Sequence, residues 1–519
     1  MILAAQYYRP PFPDKRHWLD DLSNMRDAGL NAIQLWAVWG WIEPEPTVFR
    51  FEDYDTLVQE AEKRGLGVVI SCIAEIHPYW IHRVVPDSHL VDHLNRPVQS
   101  VGRVEVNCGL TPGGCFDHPG VREHMKRFIE KLAGRYAHAV NLVGWDAWNE
   151  TRWTVHAPGH TCYCKHTVAS FREWLKSKYG DLQGLSAAWK RRYASWEDVE
   201  PGRATGLLPA ELVEFCDFLS WRAAMHMRFR YEIIKGANRT KLVSAHNAQP
   251  CVMEAGGGYE QPLCRGSDWD HADELDGFGC SHFPFWGGFD IASFGTRVEV
   301  VRSACRGKTA WVSELQGGAS NSPTFMHGRS VSAGAQQRWV WTGIGRGCKA
   351  VIFWCWRDEV FGRESCGFGI CGRDGLADER IAAMKHSGEV LLLHKNLLEN
   401  YQPDAADVGV YFDRANHFLD YAGMGKAERS AGGVAGYALA LERLNIPYRY
   451  VESRRLELDG LKLLMMPFSP VVSEEAAGRI EDFVKNGGMV LLEAEAGAFS
   501  ALGFYNAEPS ERPLAGALG

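Results

Sequence analysis

Eight short runs of strand-forming residues, each set off from the next by a helical or turn-rich stretch, constrain this chain more than any other feature. They are Ile2 to Tyr8, Asn31 to Trp39, Val68 to Ala74, Leu142 to Trp148, Leu242 to Ala248, Gly277 to Phe283, Thr309 to Gln316 and Val351 to Trp356. Helical periodicity fills Asp14 to Ala28, Tyr54 to Arg64 and His118 to Tyr136, and a helical insertion at about 155–240 carries Val168 to Tyr179 and Leu212 to Gly236. Strands that alternate with helices return to the same sheet by right-handed crossovers and pair in parallel. Eight of them within residues 1–398 is the number that closes a (β/α)8 barrel. A doubly wound open sheet is the rival. The barrel is favoured because Glu75, Asn149-Glu150, His246-Asn247, His282, Glu314 and Arg357 all fall at the C-terminal ends of the runs, which a barrel gathers at one mouth.

Residues 399–519 change character. Aromatics thin out, and a second α/β pattern runs through Val408 to Phe412, a helix at Gly432 to Leu444, Tyr448 to Val451, Leu461 to Met466, a helix at Ser473 to Asn486, and Met489 to Glu493. This reads as a flavodoxin-like α/β domain. Asp413-Arg414-Ala415-Asn416 follows its first strand in place of a glycine-rich phosphate loop, so an assembly or lid role is expected rather than nucleotide binding.

Composition removes other classes. Lys+Arg 56 against Asp+Glu 64 leaves a net charge of -8 with no basic block, which argues against a nucleic-acid partner. The N-terminus has no basic, apolar leader pattern, and no apolar run is long enough to span a membrane, so a cytoplasmic protein is expected. Many of the 14 cysteines, such as Cys72, Cys280 and Cys355, lie in apolar runs and read as buried thiols, with room for one metal cluster. The 19 tryptophans fit either sugar-stacking faces or core packing.

Two carboxylates carry the chemistry. Gly144-Trp145-Asp146-Ala147-Trp148-Asn149-Glu150 is an apolar strand ending in Asn-Glu, and Trp311-Val312-Ser313-Glu314-Leu315-Gln316 places a second Glu near the end of the seventh run. A charge at the end of a buried strand is costly unless it is used. Retaining glycoside hydrolysis uses two carboxyl groups, one protonating the leaving oxygen and one attacking the anomeric carbon. Fourth and seventh strands can face each other across a barrel mouth.

Trp-Asn-Glu on the fourth strand, Ser-Glu-Leu-Gln on the seventh and Trp39-x-x-Ile42-Glu43-Pro44 after the second resemble glycoside hydrolase family 42, the β-galactosidases of a large barrel clan. The resemblance runs through most of the chain. It implies Glu150 as acid/base, Glu314 as nucleophile, no cofactor for catalysis, a small carbohydrate substrate, and a homotrimer assembled through the second domain. It also implies a structural zinc in some members. Cys115 and the Cys162-x-Cys164 segment match three of its ligands, with Thr167 where the fourth cysteine would be; His166, His160 or Cys108 are candidates for the fourth.

The sequence departs from the family where the sugar is read. Ala32 to Trp39 lacks the charged segment common on strand two, Glu364 is present without its companion His, and Ser322, with Phe325 nearby, replaces a Trp beyond the nucleophile. The expected sugar-contacting set is Asn149, Glu364, His246, Asn247, His282, Phe283, Trp286, Trp356 and Glu75. Trp354 and Trp356 are two apart and are expected to point the same way. The expected activity is that of a retaining exo-β-galactosidase, with β-glucosidase, β-xylosidase or α-L-arabinopyranosidase on the same machinery as the alternative. A non-catalytic carbohydrate-binding barrel and a zinc hydrolase are the readings from other classes.

Overall fold

The computed structural model describes residues 1–518 apart from 101–107, 152–159, 207–208, 258–259, 320–327 and 366. The first part of the chain is a parallel barrel. Its strands are β1 (Ile2–Tyr8), β2 (Ala32–Val38), β3 (Gly67–Ile73), β4 (Leu142–Asp146), β5 (Val243–Ser244), β6 (His246–Asn247), β7 (Gly277–His282), β8 (Thr309–Gln316) and β9 (Ala350–Trp354). The expected fifth strand is split at Ala245: β5 pairs with β4 and β6 pairs with β7. The sheet order is β5-β4-β3-β2-β1-β9-β8-β7-β6, so both ends belong to one continuous segment and the sheet closes on itself.

Strand alternation sorts the residues into two environments. Leu35, Ile70 and Phe353 point outward and bury against Leu22, Met25, Leu57, Phe128 and Leu132 of the surrounding helices Trp18–Asp27, Glu52–Lys63 and Pro119–Tyr136. The inward residues form layers. Ala4, Ala32, Val69, Trp311 and Ile352 fill the base. Gly144 has no side chain because a Cβ there would come within 3.3 Å of the Trp311 ring. The next layer is polar: Gln34 donates to Ser71 at 2.7 Å, and Ser71 donates to Asp146 at 2.7 Å. Trp36, Ile73 and Trp354 lie in the layer above, with Phe368.

The insertion folds as helices Lys165–Tyr179, Leu182–Trp189 and Ala210–Ala237 around Phe171, Leu175, Trp189, Phe215 and Phe218. The helix Leu182–Trp189 escapes sequence reading because two turns are too short to show a period, although Asp181 caps it by accepting from Gly184 N at 2.8 Å.

The second sheet, β10 (Val408–Phe412), β11 (Tyr448–Glu452), β12 (Leu463–Met466) and β13 (Met489–Leu492), has the order β11-β10-β12-β13 of a doubly wound α/β fold. Asp413 caps a helix, Arg414–Met424, immediately after β10. Leu212, Trp269 and Val300 share an apolar cluster with Phe412, Tyr421 and Val434, and Arg414 pairs with Asp270 at 2.8 Å and with Asp217 at 2.6 Å. Barrel and second sheet thus share a core, rimmed by ion pairs.

Candidate active site

The C-terminal ends of β4, β6, β7 and β8 converge on Glu314. Two irregularities aim the carboxylates. On β8 the register slips between Val312 and Leu315, and opposite it β7 slips between Cys280 and Ser281. Strict alternation from inward Trp311 would turn Glu314 outward with the helices. The bulge instead lets consecutive residues Ser313 and Glu314 both face the interior, while Leu315 joins the outer core. Gly279 makes room for this, since a Cβ there would overlap Ser313 Oγ at 1.9 Å. On the other side, Glu150 lies in the left-handed region with φ 47° and ψ 32°. That conformation costs a non-glycine residue roughly 1–3 kcal/mol and is held by its surroundings. Thr151 donates to Asn247, whose amide donates to Asp268 at 2.7 Å, so the turn carrying Glu150 is tied to β6.

Glu314 is 4% exposed. Its Oε2 accepts from Ser281 at 3.1 Å, and its Oε1 stands 3.7 Å from Nε2 of His246. Burial is the main influence on its carboxyl and raises its pKa; His246 opposes the rise, and the charges of Glu150 and Asp146 add to it. Glu150 is half-buried and near enough for its charge to be felt at Glu314. A carboxyl pair of this kind can protonate one atom of a bound substrate and attack another. Asn149, beside Glu150, is buried with its Oδ1 unpartnered.

Opposite this charged cluster the mouth is aromatic. Trp36 and Trp354 lie 5.1 Å apart, and the guanidinium of Arg9 sits 4.6 Å from the Trp354 ring. Arg9 pairs with Glu364 at 2.9 Å and Glu359 at 3.3 Å. Burial pushes the Glu359 carboxyl up to about 7 despite Arg9. Phe283, Trp286 and Phe368 form edge-on contacts 5.1 to 5.9 Å between centroids, and Gln316 accepts from the backbone of Phe285 and Trp286, which fixes that loop to β8. Trp286 is 50% exposed, so a face is free to stack on a ring.

Several expected sugar contacts have other partners. Glu75 is buried against Arg230 at 3.3 Å, and Arg230, from the long insertion helix, also donates to the Ala147 carbonyl at 3.0 Å. Asn247 is occupied as the tether just described. His246 lies wholly buried between Asp146 and Glu314 rather than facing the mouth. His282 is buried against Phe294 with both ring nitrogens unpartnered, and burial drives its pKa well below the ordinary value. Trp356 belongs to the core between strands and helices. It does not share the orientation of Trp354, because β9 ends at Trp354 and the chain turns to pair Cys355 N with Phe368 O. Arg357 turns outward to Asp21 at 2.6 Å. Ser322 and Phe325 lie outside the described residues.

Reading by strand ends missed Asp146, Arg9, Glu359 and Arg230. Asp146 was legible as the inward neighbour of Gly144 on β4, and Arg9 as the residue after β1. Arg230 gives no local signal, since it sits inside a 28-residue helix far along the chain from Glu75.

Cys115, Cys162 and Cys164 bring their sulfurs within 4.8 Å of one another. Thr167 Oγ1 lies 3.4 Å from the sulfurs of Cys115 and Cys164 and donates to Asp117 at 2.7 Å. Neither His166, His160 nor Cys108 joins the group: Cys108 turns to the Pro10 carbonyl, His160 to Tyr421, and His166 packs on His118. The set therefore offers three clustered thiols, with the Thr167 hydroxyl beside two of them.

The family model for the β-galactosidases of glycoside hydrolase family 42 matches residues 7–392. A β-galactosidase of Thermus thermophilus is 26% identical over 518 residues, covering 96% of this chain and 76% of its own length. The β-galactosidase Bga of Halorubrum lacusprofundi is 25% identical over 541 residues, covering 96% and 70%. Among solved structures, the β-galactosidase of the psychrophilic Marinomonas ef1 superposes with a TM-score of 0.82 at 20% identity, over 100% of this chain and 79% of that one, which speaks to the fold. With more than half its length matched by the family model, the chain belongs to glycoside hydrolase family 42.

Proposed function

We propose that the protein is a retaining exo-β-galactosidase whose barrel, residues 1–398, carries Glu314 as nucleophile and Glu150 as acid/base. The observation that carries this reading is the meeting of the two carboxyl groups at the barrel mouth, where a bulge and a left-handed turn aim them and the charge of one acts on the other. In the first step a Glu314 oxygen bonds to the anomeric carbon as the glycosidic C–O bond breaks, and the leaving oxygen takes the proton of Glu150. In the second, Glu150 takes a proton from water, the water oxygen bonds to the same carbon, and Glu314 departs. Glu150 gives a proton in the first step and regains one from water in the second, while Glu314 carries the sugar between them, so the reaction draws on no cofactor. Asn149 is taken to meet the sugar 2-hydroxyl, and Trp286 to stack on the sugar or its aglycone.

The glycone pocket supports a second reading within the same chemistry. Gln34 and Trp36 point inward from β2, and Glu364 is bound to Arg9, so the polar contacts that read an axial hydroxyl differ from the pattern the family commonly shows. A β-glucoside, β-xyloside or α-L-arabinopyranoside is the alternative glycone. Hydrolysis of a p-nitrophenyl glycoside panel by the wild type and Glu314→Ala decides. The β-galactoside should be cleaved best, and the variant should lose about a thousandfold, or about 4 kcal/mol. Preference for another sugar replaces the glycone alone, and an active Glu314→Ala removes the mechanism.

Further assignments come from the sequence pattern and from the resemblance. The protein is taken to act in the cytoplasm on small oligosaccharides, and to assemble as a trimer through residues 399–519; light scattering at a mass of one chain would overturn the second. The Cys115, Cys162 and Cys164 thiolates are taken to hold a structural zinc, with Thr167 beside the fourth position. Metal analysis should find about one zinc per chain, lost in Cys164→Ser; a metal-free and equally stable wild type would leave three buried thiols.

A further inference from the structure

Glu314 is buried, carries an oxygen without a hydrogen-bond donor, and shares its site with two other carboxylates, Glu150 and Asp146. An isolated carboxylate in such a place would take up a proton and cease to be a nucleophile. β2, which could have offered a cation from across the barrel, presents Gln34 and Trp36 instead. The compensating charge is available from β6. His246 is 0% exposed and lies in line between two acids, its Nδ1 3.3 Å from Asp146 Oδ1 and its Nε2 3.7 Å from Glu314 Oε1. Asp146 is itself fixed through its other oxygen by Ser71 at 2.7 Å and Gln34 at 3.4 Å. The ring is hydrogen-bonded at Nδ1 to Asp146, and its Nε2 faces the Glu314 carboxylate at ion-pair distance.

We propose that Asp146 and His246 form a positioning pair, in which Asp146 orients an imidazolium that holds the Glu314 carboxylate ionised and turned toward the anomeric carbon. The proposal rests on Glu314 being the nucleophile. The pair is assembled from β4 and β6, the strands that also carry and tether Glu150, so one end of the barrel sets the charge of both carboxyl groups. Burial alone would discharge the imidazole, but the two adjacent carboxylates outweigh it and raise its pKa well above the ordinary histidine value. The other groups facing the pair are Glu150 and Ser281 beside Glu314, His282 beside His246, and Glu75, itself paired with Arg230, beside Asp146. Of these, Glu75 already has Arg230 as its cation, and burial holds His282 neutral.

The account predicts a change in pH dependence that a packing role would not produce. Removing the imidazolium takes away the group that depresses the Glu314 pKa, so Glu314 keeps its proton to higher pH. The acid limb of kcat/KM in His246→Gln should therefore move to higher pH by at least about one unit, with kcat falling by roughly a hundredfold and KM by little. Asp146→Asn keeps the shape and the contact with Ser71 while removing the charge; its lost hold on the imidazolium raises the limb, its own lost charge beside Glu314 lowers it, and the limb should move up by less than in His246→Gln. It also keeps the proposal testable if His246→Gln does not fold. The rate at which a 2-deoxy-2-fluoro-β-galactosyl fluoride traps Glu314 should fall in parallel, because that rate reports the attack itself. A wild-type pH profile and trapping rate in both folded variants would overturn the positioning pair while leaving Glu314 as nucleophile. Trapping at some other residue in the wild type would overturn the nucleophile, and the pair with it.

Discussion

The two halves of the barrel mouth are built on opposite plans. The half made by β4, β6, β7 and β8 holds Asp146, His246, Ser281 and Glu314 in one chain of hydrogen-bond and ion-pair contacts. The half made by β1, β2 and β9 holds Trp36, Trp354, Phe368 and the cation Arg9, with its two acids. Two of the three motifs that carry the family resemblance lie in the first half, and two of the three departures from it lie in the second. Chemistry that moves protons and attacks carbon needs fixed charges at fixed distances, and it tolerates little change. Recognition of a sugar's hydroxyls and faces is set by a few polar groups on an apolar surface, and changes there alter which sugar is held.

The comparison breaks if the charged half proves dispensable. Glu150→Ala should lose about a thousandfold on a glycoside with a poor leaving group, keep much more of its rate with a dinitrophenyl leaving group, and recover with azide to give a product of retained configuration. An equal loss on both leaving groups, without azide recovery, would separate Glu150 from the acid/base role. The next effect lies in the aromatic half. Glu364→Gln should change the ratio of kcat/KM between β-galactoside and β-glucoside by about a hundredfold while leaving the Glu314 trapping chemistry in place. An unchanged ratio would move sugar reading away from the Arg9 cluster.

Glu359 sharpens the contrast through pH. Its carboxyl is raised to about 7 in the folded chain by burial, against about 4.5 when unfolded, so the folded state holds the proton more tightly. The stability it contributes is fully present below about pH 4.5 and is lost as pH rises through about 7. Unfolding measured at pH 5 and pH 8 should show a fall in the wild type that is smaller in Glu359→Gln by up to about 3 kcal/mol. Parallel curves would place Glu359 in ordinary solvent. The smallest effect is expected of Trp286→Ala, with KM raised roughly fivefold for about 1 kcal/mol of stacking and kcat kept.

The strands and both carboxylates were legible because strand ends and apolar runs are local signals. Thr309–Gln316 and Val408–Phe412 fall where the hydrophobic pattern puts them. What the residues around Glu314 do was not legible, for two physical reasons. The bulge that turns Glu314 inward depends on the register of β8 against β7 and β9, which no single strand records. The partners of the strand-end residues come from far along the chain: Arg230 reaches Glu75, Arg9 reaches Glu364, and Asp146 reaches His246. Glu75, His246 and Asn247 look like sugar contacts in the sequence because their partners are invisible there. Trp356 misleads for a local reason, since the β9 strand stops two residues before it.

The central claim is that Glu314 attacks the sugar, and its most direct test is to trap it. Wild-type protein incubated with a 2-deoxy-2-fluoro-β-galactosyl fluoride, digested and analysed by mass spectrometry should carry one fluoro-sugar per chain, on the peptide containing Glu314 and on that residue. A label on any other residue, or hydrolysis that inverts the anomeric centre with no covalent adduct, would contradict it.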